Sequence, residues 1–218
     1  MKQKLKARFL TLEGIDGAGK SSHSGAICDY LRAQGETVVL TREPGGSELA
    51  EALRGLLLHR EMSALTELLL VFAARKDHLD RVIMPALECG AWVISDRFTD
   101  ATWAYQGGGK GVPAGQIAWL ERQVQDGLRP RRTYWFDLDP AVAAQRRDHD
   151  RSAGGLKARG GDRFEAEDLE FFERVREAYA RRAAAYPDTY LRLDASLSKD
   201  ALAERIREDL DMLNGAAT

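Results

Sequence analysis

The chain has 218 residues, 44% of them apolar, and a formal net charge of −2 at pH 7. That length suits one sizeable α/β domain with a real core, and the balanced charge excludes a global basic field for duplex nucleic acid or an anionic membrane. Any anion site must therefore be local. Cys28 and Cys89 lie far apart, with no C-x-x-C or histidine spacing near them. They fit a reducing compartment and are expected to be packing residues rather than ligands. The opening MKQKLKARF lacks the apolar stretch of a secretory signal, and no run approaches the ~18 apolar residues that span a bilayer. The expectation is a soluble cytoplasmic protein of one domain, residues 1–218.

The first predicted strand is FLTL, 9–12, and a glycine-rich stretch follows it at once. Gly14-Ile15-Asp16-Gly17-Ala18-Gly19-Lys20-Ser21 matches G-x-x-x-x-G-K-[ST] in full. Glycines there let successive backbone N–H groups turn inward onto phosphate oxygens, and the N-terminus of the following helix adds its positive end. Lys20 is placed to reach the outer phosphates and the Ser21 hydroxyl to hold Mg²⁺, so Gly14 through Ser22 are the candidate ATP-binding residues. The context is a strand before and an apolar helix (Ala26, Ile27, Tyr30, Leu31) after, which is what such a cradle requires.

A second strand, TVVL (37–40), runs into TREPGG, where Arg42 and Glu43 sit at its carboxyl edge and Pro44-Gly45-Gly46 forces a turn. Charged residues at such an edge are either paired or hold a ligand. Leu49, Leu53, Leu56 and Leu57 then fall on one helical face. In the helical stretch VFAARKDHL (71–79), Phe72 and Arg75 share a face, an arrangement suited to a flat base beside a phosphate. Taken alone, Phe72 also reads as a core residue.

The third strand, AWVI (91–94), leads to Asp96 and Arg97, and ATWAYQGGGKG (101–111) brings Thr102, Tyr105 and Gln106 to helical spacing. Gly107-Gly108-Gly109 is expected to stop that helix. TYWF (133–136) and TYLRL (189–193) complete five strands, and Leu202, Ile206, Leu210 and Leu213 mark a final amphipathic helix. Apolar strands alternating with helices indicate a parallel sheet covered on both faces, with its site beyond the carboxyl ends of the strands. Between the last two strands lies a basic stretch, 145–164, carrying Arg146, Arg147, Arg151, Lys157, Arg159 and Arg163 and broken by two glycine pairs. It reads either as a solvated surface loop or as a lid over phosphates.

EGIDGAGKSS, TREPGGSELAEALRGLLL, FAAR, DRFTDATWAYQGGGKG and DRFE (162–165) appear in this order, and together the pattern resembles the bacterial thymidylate kinases. The resemblance implies a P-loop nucleoside monophosphate kinase fold: a five-stranded parallel sheet flanked by helices, with a basic lid at about 146–164. It also implies a homodimer, and phosphorylation of dTMP to dTDP with ATP and Mg²⁺ on the way to dTTP. By resemblance, Asp16 faces the acceptor's 3′-OH and the metal region, and Arg97 and Arg42 approach the acceptor phosphate. Glu43 and Pro44 belong to the same wall, Arg75 meets the phosphate or base, and Phe72 stacks on thymine. Thr102 and Gln106 lie near the base and Tyr105 against the deoxyribose. The loop residues Ile15, Asp16, Gly17 and Ala18 include no arginine, so the catalytic cation is expected from the lid, with Arg151 and Arg159 favoured over Lys157. Lys20, Asp16, Arg97, Arg151 and Arg159 form the expected catalytic set, and Ser21, Asp16 and Glu165 the metal set. Ala101 departs from the serine or asparagine of many relatives, and bulky Trp103 suggests either a subunit contact or a place on the domain's own surface. The rival readings are a kinase for another nucleoside monophosphate and, in a different class, a P-loop switch or partition-type ATPase.

Overall fold

In the computed structural model, which describes residues 7–152 and 163–215, five parallel strands form one sheet in the order β2-β3-β1-β4-β5. The strands are β1 (Phe9–Glu13), β2 (Val38–Arg42), β3 (Trp92–Asp96), β4 (Arg132–Asp137) and β5 (Tyr190–Asp194). Each starts within a residue of its apolar run but extends one or two residues beyond it. The ladder pulls polar ends such as Glu13, Arg42 and Asp96 into register, with Leu12 opposite Asp96 and Arg42 opposite Asp96.

Alternation along β1 assigns the two faces. Leu10 and Leu12 pack with Ile27 and Leu31 of α1 (Lys20–Ala33) and with Leu202, Ile206, Leu210 and Leu213 of α9 (Lys199–Gly215). Phe9 goes to the other face, with Val93, a π-helical turn (Leu79–Ile83) and α4 (Met84–Glu88). From β1 the chain first builds the β3-β2 side and later the β4-β5 side. The end of β1 is thus the switch point, where a parallel sheet opens a crevice.

The remaining helices are α2 (Glu48–His59), α3 (Ala64–His78), α5 (Thr99–Thr102), α6 (Ala114–Gln125), α7 (Pro140–Ser152) and α8 (Leu169–Ala185). Ser63 and Asp168 cap α3 and α8 by accepting from the backbone N–H groups of Thr66 and Phe171. The leucine face expected on α2 is not a core face: only Leu57 is buried, whereas Leu49 and Leu56 are exposed. Cys28 is a core residue, but Cys89 is exposed at the end of α4 rather than packed. Trp103 is half-buried and donates to Glu121 at 2.8 Å beneath the Arg182 guanidinium.

Gly107-Gly108-Gly109 does more than stop a helix. The segment Trp103–Gly109 is π-helical, and α8 lies directly on it. A Cβ at Gly108 would come within 2.6 Å of the Ala178 Cβ and 2.8 Å of the Arg174 carbonyl oxygen, and one at Gly109 within 2.3 Å of Phe171. The glycines are required by this close approach.

Candidate active site

The cradle forms as its spacing requires. Gly14, Gly17 and Gly19 all have φ near +90° to +137°, and side chains at the first two would strike the carbonyl oxygens of Phe136 and Ala143. The loop is thereby clamped between β4 and α7. Lys20, at the first position of α1, is buried and donates to the carbonyls of Gly14 and Ile15 at 2.9 and 3.0 Å. Burial, then repulsion from Arg97, lowers its pKa to about 8.

Ser21 Oγ lies 3.5 Å from Asp96 Oδ2, and Asp96 Oδ1 is buried without a hydrogen-bond partner among the described residues. A hydroxyl beside an unsatisfied carboxylate oxygen suits a Mg²⁺ that draws its other ligands from phosphate and water. No cluster of three or more acidic, histidine or cysteine side chains suited to a metal occurs among the described residues. Of the expected metal set, Ser21 fits this position. The Asp16 carboxylate is turned to Arg97 at 3.0 Å, and the side chain of Glu165 lies outside the described residues.

Two cavities open from this point. The larger, about 2240 Å³ including open solvent, runs from the cradle past Arg146, Arg147 and the Ala195–Lys199 turn. The smaller, about 740 Å³ on the same measure, is walled by Val71, Arg75, Phe98, Thr102, Tyr105 and Gln106. They share four residues: Asp16, Glu43, Arg54 and Arg97.

Arg97 occupies the junction. Its φ of +71° is unusual for a non-glycine residue and aims the side chain back across the end of β1. It donates to Asp16 Oδ1 (3.0 Å) and to the hydroxyls of Tyr105 (3.2 Å) and Tyr179 (3.2 Å). Glu13, the last residue of β1, accepts from the Phe98 N–H at 2.7 Å and from the Tyr179 hydroxyl at 2.8 Å. Burial, followed by the nearby Asp100 carboxylate, pushes its pKa up to about 8.

Arg75 is buried in the wall. Its Nε donates to Glu43 at 2.7 Å, while NH1 reaches Thr99 and NH2 reaches Phe98 O and Thr102. Glu43 also meets His78 Nδ1 at 3.1 Å, and Pro44, after a cis peptide bond, accepts from Arg54 at 2.8 Å.

Phe72 departs from its expected place. Phe72 does not face the smaller cavity: it is buried with Leu68, Val112 and Ile117, under the Arg75 guanidinium, and Val71 one position earlier lines the wall. One residue along a helix is a turn of about 100°, enough to move a ring from wall to core. Arg42 lines only the larger cleft, where Glu51 holds it at 2.9 and 3.2 Å. Of the lid residues, Arg151 lies in α7 with its side chain outside the described residues, and Lys157 and Arg159 are outside them entirely.

Residues that the motifs did not single out, with Arg147 of the basic stretch and Phe164 of DRFE, complete the site. Arg54 hid in an ordinary helical pattern, and Val71 was eclipsed by its aromatic neighbour. Glu13 did carry a signal, a charged residue ending a buried strand. Arg147 donates to the Asp16 carbonyl at 2.9 Å, and Phe164 meets Tyr105 edge-on at 5.8 Å. Tyr179 left no mark, because a tyrosine in a helix reads as packing.

The family model for thymidylate kinase matches residues 12–206. A thymidylate kinase from Thiobacillus denitrificans is 54% identical over 202 residues, covering 93% of this chain and 95% of its own. Another, from Ralstonia nicotianae, is 51% identical over 213 residues, covering 96% and 98%. The crystal structure of thymidylate kinase from Ehrlichia chaffeensis matches with a TM-score of 0.73 at 32% identity, over 93% of this chain and 97% of that one.

Proposed function

Because the chain belongs to the thymidylate kinase family and phosphorylates dTMP, we propose a division of labour between its two cavities, with ATP in the larger and dTMP in the smaller. The observation that carries this reading is their meeting at Asp16 and Arg97. Two anionic groups brought together there would share one half-buried guanidinium, and the moving phosphoryl group would pass between them. Neither another nucleoside monophosphate nor a switch-type ATPase is favoured by the relatives.

On the donor side the amides of Gly14–Lys20, the Lys20 ammonium and the N-terminus of α1 take the ATP phosphates. Ser21 and Asp96 would hold Mg²⁺, which offsets charge on those phosphates when bound. On the acceptor side Arg97 and Arg54 take the monophosphate. Asp16 orients Arg97 and borders the sugar, Tyr105 packs against the deoxyribose, and Val71, Arg75, Thr102 and Gln106 surround the base. Phosphoryl transfer requires little covalent help, so most of the acceleration comes from alignment and from cations preset around the developing charge. Arg151 and Arg159 from the lid are proposed to supply the last of these as water is excluded.

The proposed assembly is a homodimer in the cytoplasm. Leu49 and Leu56 of α2 and Leu65 and Leu69 of α3 expose apolar surface that a second copy would cover. No helix among the described residues is long and apolar enough to cross a membrane. The function is tested by a coupled assay offering dTMP, dUMP, dCMP, dGMP and dAMP with ATP. Turnover led by dTMP is expected, and ATP hydrolysis indifferent to all five would overturn it.

A further inference from the structure

Glu67 is fully buried in the first turn of α3, where an isolated carboxylate would be costly. Three donors converge on it. Gln106 Nε2 lies 2.7 Å from Oε1, Lys110 Nζ lies 3.0 Å from Oε2, and Arg163 also donates to Oε2. Lys110 is held in turn by Glu167 at 3.3 Å, and Arg163 by the carbonyl of Leu57 at 3.1 Å. Arg163 opens the short helical turn that carries Phe164 onto the rim of the smaller cavity.

We propose that Glu67 is a positioning residue that sets base selection, by fixing which end of the Gln106 amide faces the base. A carboxylate between two cations can only accept. Gln106 must therefore present its NH₂ to Glu67, which leaves its carbonyl oxygen for the cavity that Gln106 lines. An oxygen there accepts from a ring N–H flanked by carbonyls, the imide edge of thymine or uracil. Cytosine offers a bare ring nitrogen at the same position, so two acceptors would oppose each other, an arrangement that selects by repulsion as well as attraction. The same carboxylate ties Arg163, and with it the Phe164 rim, to the amide that reads the base. This inference rests on the reading that the smaller cavity holds the pyrimidine.

The test is Glu67→Gln, whose amide can offer Gln106 either a donor or an acceptor and so releases the lock. Steady-state rates are measured with dTMP and dCMP. The expected result is a KM for dTMP raised by about tenfold, kcat nearly retained, the KM for ATP unmoved, and a dCMP-to-dTMP ratio of kcat/KM raised by at least about tenfold. A purely structural ion pair would lower stability and kcat without changing that ratio, and an unchanged ratio in a folded variant overturns the proposal. Gln106→Leu identifies which step failed. If it alters the ratio while Glu67→Gln does not, the lock is wrong; if neither does, Gln106 does not meet the base and the pyrimidine reading of the cavity fails with it. Should Glu67→Gln not fold, NMR on the wild-type protein with dTMP bound decides. The dTMP ring N3–H should show a through-hydrogen-bond coupling to the Gln106 side-chain carbonyl carbon, and a hydrogen bond from the Gln106 NH₂ to a base carbonyl in its place would overturn the assignment.

Discussion

Tyr179 of α8 donates its hydroxyl to Glu13 at 2.8 Å and receives Arg97 NH1 at 3.2 Å, so one ring ties the end of β1 to the cation at the junction of the two cavities. Glu13 holds the other end of the same turn through the Phe98 N–H. The positive φ of Arg97 is thus enforced from both sides. Tyr179→Phe keeps the ring and removes the hydroxyl. Its expected cost is about 1–3 kcal/mol in stability and roughly tenfold in kcat, with ATP binding unchanged. Wild-type kcat in this variant would mean that Asp16 and Tyr105 alone suffice to aim Arg97.

Glu13 also predicts a pH dependence of stability. Its folded pKa, raised to about 8 chiefly by burial, lies above the unfolded value, so the native state holds the extra proton between the two. That contribution is complete at acid pH below the unfolded pKa and fades as pH rises toward about 8. Glu13→Gln, fixed in the neutral form, should show a flatter fall in Tm than wild type from pH 5 to pH 8.5. Parallel curves would contradict the assignment.

Lys20 bears on activity over the same range of pH. Its pKa is lowered to about 8 by burial, so the free enzyme loses the ammonium as pH rises through that value. The profile of kcat/KM for ATP, which reports the free enzyme, should decline with an apparent pKa near 8, and Lys20→Ala should abolish turnover. A profile flat to pH 9.5 would rule out Lys20 as the titrating group.

Replacing Arg151 and Arg159 together with alanine should depress kcat by orders of magnitude, ~10³ or more, while dTMP affinity measured by calorimetry changes little. Near-normal kcat would move the catalytic cation to residues such as Arg147, which already touches the phosphate loop.

Gly108→Ala tests the packing of α8 on the π-helical segment. The new methyl has no room against Ala178 and the Arg174 carbonyl. A loss of about 1–3 kcal/mol in thermal stability is expected, with a fall in kcat as Tyr179 shifts along with its helix.

The phosphate cradle was legible in the sequence because it is local: eight consecutive residues carry its turns, its lysine and its helix start, and the distant contacts with Phe136 and Ala143 only seat it. The parallel sheet was legible too, from apolar runs of strand length alternating with helical patterns. The leucines of α2 misled, since periodicity marks an apolar face without saying whether this chain covers it. Only the tertiary structure decided that Val71 rather than Phe72 walls the smaller cavity, that Gly108 is a seat for α8, and that Glu13, Glu67 and Tyr179 hold the arginine and the amide in place. Glu13 and Tyr179 are separated by 166 positions, and Glu67 and Gln106 by 39. A single sequence records which groups exist, whereas the hydrogen bonds among them depend on how helices come to rest on the sheet.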